Sequence, residues 1–96
     1  MKKNEIVKII KKNKPELASR YGVRQLGLFG SHVRQQENES SDIDILVSFS
    51  RDVDLFDFVD LRELLEKKLN SKVDLVMVSA LKPAIGKRIL QEVEYV

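Results

Sequence analysis

No cysteine and no tryptophan occur in this chain, and histidine occurs once in its 96 residues. The missing thiols exclude disulfides and thiolate metal sites, and a lone His32 cannot build a histidine-rich zinc centre. Any functional metal must be held mainly by oxygen, which favours Mg²⁺, with Mn²⁺ as the alternative. No apolar run approaches membrane-spanning length, and the opening Met1-Lys2-Lys3-Asn4-Glu5 is not followed by a signal-peptide core. A cytoplasmic protein without membrane contact is expected. The net charge of +2 is too slight to argue for direct nucleic-acid binding. Lys2, Lys3, Lys8, Lys11, Lys12 and Lys14 crowd the N-terminus and read as a solvated helix face.

What is present is the composition of an ordinary soluble globular protein, 43% hydrophobic and 33% charged. The length suits one small domain over residues 1–96, with a single core and no deep enclosed pocket.

The informative stretch runs from Gly27 to Ser48. Asp42 and Asp44 flank Ile43 at the start of the apolar run Ile45-Leu46-Val47. Alternation along a strand puts both carboxylates on one face, about 7 Å apart. They repel each other unless a cation sits between them, so a metal site explains them beside residues that should be buried. Ten residues earlier stands Gly30-Ser31, where the strand Val23–Phe29 passes into a helix expected over Ser31–Gln36. Glycine there lets a ligand approach the backbone, free N–H groups at a helix start attract phosphate, and Ser31 adds a hydroxyl. Arg34, one turn on, could neutralise triphosphate charge. His32 has no adjacent nucleophile and reads as a polar helix-start residue. A phosphate-binding turn beside a carboxylate pair is the minimum equipment for chemistry on a nucleoside triphosphate.

Elsewhere the apolar period predicts a first helix from Lys3, either broken or kinked at Pro15 and ending at Gly22. A polar loop carrying Glu37 and Glu39 follows, then a strand over Ile43–Phe49. Asp54 should cap a long helix whose stripe is Leu55, Val59, Leu61, Leu64, Leu65 and Leu69, with Phe56 and Phe58 also filling the core. A third strand over Lys72–Val78 carries Asp74 among aliphatic residues, costly to bury uncompensated unless it lies on an exposed strand face. A last helix over Pro83–Val93 should turn Ile85, Ile89, Leu90 and Val93 inward. Strands interleaved with helices make an α/β or α+β sandwich.

The Gly-Ser, ten-residue spacer, Asp-x-Asp pattern resembles the signature of the DNA polymerase β-like nucleotidyltransferase superfamily, and within it the minimal nucleotidyltransferases of the MntA antitoxin type. That resemblance implies a small mixed sheet of three or four strands backed by helices. It makes Asp74 the third metal-site carboxylate beside Asp42 and Asp44, and Gly30 and Ser31 the triphosphate turn. It implies a Mg²⁺-dependent protein adenylyltransferase that moves AMP from ATP to a hydroxyl, expected to be a tyrosine, of a HEPN-domain RNase toxin, as the antitoxin of a type VII pair. Two alternatives stay open: an antitoxin that neutralises by binding alone, and a transferase acting on a drug or metabolite.

Overall fold

Side-chain periodicity and turn chemistry account for each element in chain order. In the computed structural model, α1 spans Lys3–Tyr21, β1 Val23–Phe29, β2 Ile43–Phe49, α2 Leu55–Leu69, β3 Val73–Met77, α3 Pro83–Glu92 and β4 Glu94–Tyr95. The structure describes residues 1–38 and 40–96, so Glu39 of the expected loop lies outside the described residues. Ile6, Ile10, Leu17 and Tyr21 form the buried stripe of α1. Pro15 neither breaks this helix nor starts another. It sits on the exposed side, as does Lys11, whose carbonyl the proline ring leaves without its usual donor. Gly22, at φ 73°, ends the helix in the left-handed region and returns its N–H to the Ala18 carbonyl at 3.0 Å.

The strands form one four-stranded sheet in the order β3-β2-β1-β4, with β2 and β3 parallel and β1 antiparallel to both of its neighbours. One face packs on α1 and α2. Leu26, Leu28, Ile45, Val47, Val73 and Leu75 meet Ile6, Ile10, Leu61, Leu65 and Leu69 there. Tyr21, buried between the helices, donates its hydroxyl to Asp60 at 2.6 Å. Burial first and the Asp60 carboxylate second push the phenol's pKa to about 12.

The opposite face carries Gly27, Phe29, Asp44, Leu46 and Asp74, by alternation and by the pairings Phe29 with Asp44 and Asp44 with Asp74. α3 lies over it, close enough that a Cβ on Gly27 would collide with the Val93 side chain. Here three expectations fail. Leu55 and Phe56 are 72% and 84% exposed, because the sheet-facing stripe of α2 falls on Leu61, Leu65 and Leu69 and its first turn runs past the sheet. Ile85 and Leu90 are 61% and 49% exposed; Ile85 opens onto the cavity that α3 shares with Phe29 and Asp44 instead of packing on the sheet, and Leu90 lies outside that cavity. The expected helix from Ser31 is a single 3-10 turn, Gly30–His32, closed by Gln35 at φ 58°.

Candidate active site

Three chain segments meet at one end of the second face: the exit of β1, the start of β2 and the start of β3. In-register pairing places Phe29 beside Asp44, and Asp44 beside Asp74. Parallel pairing of β2 with β3 points the two carboxylates the same way, close enough for Asp74 to disfavour the charged form of Asp44. Partial burial, then Asp74 and Asp42, raise the Asp44 pKa from 3.8 to about 6, while Arg34 pulls it back. Asp42 is exposed on the residue before β2, near enough to Asp44 to add to that repulsion.

Among the described residues no three acidic or histidine side chains close into a ready-made cage. Asp44 and Asp74 are the converging pair, and Asp42 stands at its edge. Asp44, whose ionisation is held back by burial and by its acidic neighbours, together with the adjacent Asp74 is an oxygen donor set that fits a hard divalent cation. Asp74 is exposed, as the strand-face alternative required, and its exposure is what leaves it available to a ligand.

Gly30 shows why no other residue fits the turn. It has φ +79°, and a Cβ there would collide with the Asp44 carboxylate. The turn thus brings backbone against the carboxylate pair, as the strand-to-helix reading of Gly30 anticipated. Ser31 is half-buried, and its hydroxyl makes no protein hydrogen bond among the described residues. The Gly30 N–H donates to Glu92 Oε2 at 3.1 Å. Arg34, whose backbone N–H closes the turn onto the Gly30 carbonyl at 3.1 Å, places Nη1 2.6 Å from Glu92 Oε1. Phe29, Gly30, Arg34, Asp44, Arg88 and Glu92 line a cavity of about 280 Å³ under α3. A larger cleft of about 500 Å³ near Val47, Arg51 and Ser79 lies at the far end of the strands, and another of about 350 Å³ is lined by Asp42 and Lys72.

Two residues here escaped the sequence reading. His32 is 3% exposed with Nδ1 unpartnered, tucked beneath the turn, where burial lowers its pKa. Its place in a polar run hid this. Glu92, 62 residues from Gly30, gave no local signal beyond an acid at the end of an apolar helix.

The family model for the polymerase β nucleotidyltransferase matches residues 4–96. Protein adenylyltransferase MntA of Thermococcus cleftensis is 50% identical over 92 residues, which cover 96% of this chain and 93% of that one. A solved structure named as a minimal nucleotidyltransferase superposes with a TM-score of 0.79 at 31% identity, covering 94% of this chain and 92% of that one. A further match, with a TM-score of 0.62 at 25% identity, covers 96% of this chain and 66% of a chain in the complex of a tri-AMPylated Shewanella oneidensis HEPN toxin with an MNT antitoxin.

Proposed function

This chain belongs to the polymerase β-type nucleotidyltransferase family, and from that membership we propose that it moves AMP from ATP to a hydroxyl of a HEPN-type RNase toxin, expected to be a tyrosine, and so acts as that toxin's antitoxin. The likeness to an adenylyltransferase across nearly the whole of both chains supports the donor and the reaction. The likeness to the antitoxin of a HEPN complex supports the partner. A single catalytic domain over 1–96 and a cytoplasmic setting belong to the same reading. Among the described residues no helix is long and apolar enough to cross a membrane.

The observation that carries the proposal is the in-register Asp44–Asp74 pair pressed against the Gly30 turn. Asp42, Asp44 and Asp74 would hold Mg²⁺, which when bound supplies a counter-charge to the triphosphate and a lowered pKa at the acceptor hydroxyl. The chain's own groups do the positioning. Gly30 lets the phosphates approach the backbone, the Ser31 hydroxyl donates to a phosphate oxygen, and Arg34 offsets the charge that grows on departing pyrophosphate. The acceptor oxygen bonds to the α-phosphorus as the bond to the α,β-bridging oxygen breaks, and the hydroxyl proton leaves to water.

The test is incubation of the purified chain with ATP labelled at the α-phosphate, Mg²⁺ and a HEPN-type partner encoded beside it, followed by intact-mass measurement of both proteins. An added AMP mass on the partner, lost on mutating its tyrosine, is expected. Toxin silencing without any mass change would replace catalysis with neutralisation by binding.

A further inference from the structure

The polar link between α3 and the turn is unassigned by the reading above. Glu92 is the last residue of α3, where the chain leaves for β4, and its carboxylate reaches both ends of the turn at once. Oε2 accepts the Gly30 N–H at 3.1 Å and Oε1 the Arg34 guanidinium at 2.6 Å. The Glu92 side chain is only 18% exposed, against 41% for Arg34. Gln36 Oε1 takes Arg34 Nε at 3.1 Å, so the guanidinium is held from two sides. Five N–H groups belong to a guanidinium and these bonds use two, which leaves donors free in the cavity shared with Asp44.

We propose that Glu92 is a positioning residue: it fixes the Arg34 guanidinium over the Asp44 side of the cavity and locks the Gly30 peptide, so that the triphosphate meets a preset cation and turn. The inference rests on the proposed nucleotide site. A long, half-exposed arginine that must be immobilised on binding loses rotamer freedom at that moment, whereas one already tied down does not. Such a carboxylate would repel polyphosphate if it stood alone. Arg34 at 2.6 Å and Arg88, one turn earlier on α3 and close enough to lower the Glu92 pKa, outnumber this carboxylate two to one. The Gly30 N–H is satisfied within the protein, so the phosphate's donors are the Ser31 hydroxyl and Arg34.

A double-mutant cycle tests this. Wild type, Glu92→Ala, Glu92→Gln, Arg34→Ala and the Arg34→Ala/Glu92→Ala pair are titrated with α,β-methylene ATP and Mg²⁺ by calorimetry, with a urea melt of each. The charge-assisted link should make Glu92→Ala weaken binding about tenfold, with Glu92→Gln, which still accepts the Gly30 N–H, in between. In the Arg34→Ala background the same change should cost at most about twofold, because Glu92 then has no guanidinium to place. Equal losses in both backgrounds would reduce Glu92 to an anchor for α3, and tighter binding by Glu92→Gln would make it an internal rival of the phosphate. Either result overturns this inference and leaves the nucleotide site standing. No binding by the folded wild type would overturn both.

Discussion

On the α1–α2 side of the sheet, Leu26, Leu28, Ile45, Val47 and Leu75 belong to one buried hydrophobic cluster with the helix side chains. On the α3 side, Phe29 and Leu46 share their face of the sheet with Asp44 and Asp74, and the covering helix sends Glu92 rather than an aliphatic residue to the turn. The first face is organised to exclude water. The second keeps charges beside one another that the fold alone would separate. Stability and chemistry are thus assigned to opposite faces of one sheet, with β2 contributing to both by alternation. Substitutions on the two faces should therefore move different observables.

The sharpest contrast comes from Asp44→Asn. It removes the carboxylate proposed to bind the metal and paired in register with Asp74, so transfer should fall about a thousandfold, roughly 4 kcal/mol of transition-state stabilisation. The metal-free fold should be as stable as wild type or more so, since the like-charge penalty goes with it. Initial rates with labelled ATP beside urea melts read both quantities. A stable variant with full rate would dismantle the division of faces.

Leu61→Ala is the mirror experiment. Leu61 is 0% exposed under the sheet, and its truncation should cost about 2–5 kcal/mol through lost burial and a residual cavity. Where the variant stays folded at low temperature, its affinity for the ATP analogue should match wild type.

The pH dependence sharpens the comparison further. Asp44 has a folded pKa of about 6, raised from 3.8, so between those values the fold binds more protons than the unfolded chain. The metal-free fold is therefore favoured below about pH 4 and loses that advantage as pH rises toward 6. After solvent screening the loss should be about 1 to 2 kcal/mol. Other acids titrate in the same range, so the diagnostic is the difference between wild type and Asp44→Asn in EDTA. It should open from pH 4 to pH 6 and close again on adding Mg²⁺.

Tyr21→Phe belongs to the first face and should cost about 1 kcal/mol by urea melt. It deletes the hydroxyl bonded to Asp60 at 2.6 Å, while the exposed Asp60 is then solvated. Nucleotide affinity should not change.

The same division explains what could be read in advance. β1 and β2 were legible to the residue, because each is a short apolar run buried on both faces, and Gly22 and Gly30 bound β1. The closeness of Gly30 to Asp44 was legible because strand geometry and turn chemistry act over a few residues. Glu92 was not, since its partners Gly30 and Arg34 are remote in sequence, and neither was β4, a two-residue edge strand whose pairing with Gly27 and Leu28 no period can announce. Leu55, Phe56, Ile85 and Leu90 misled because an apolar helical stripe reports a surface to be covered and does not say by what.

Ile85 makes that last point measurable. Full burial of an isoleucine side chain stabilises by roughly 1.5–3 kcal/mol, but Ile85 stays 61% exposed, so only a minor share of that is present in the fold. Alanine is the better helix former by a few tenths of a kcal/mol, which offsets part of the remainder in α3. Ile85→Ala should thus lie within about 0.5 kcal/mol of wild type, against the several expected for Leu61→Ala, although both positions are aliphatic and both lie on helices covering the sheet. Urea melts of the two variants at one pH and ionic strength decide it. An Ile85→Ala loss above about 1.5 kcal/mol would mean that α3 closes the second face as tightly as α2 closes the first, and the asymmetry between the faces would no longer hold.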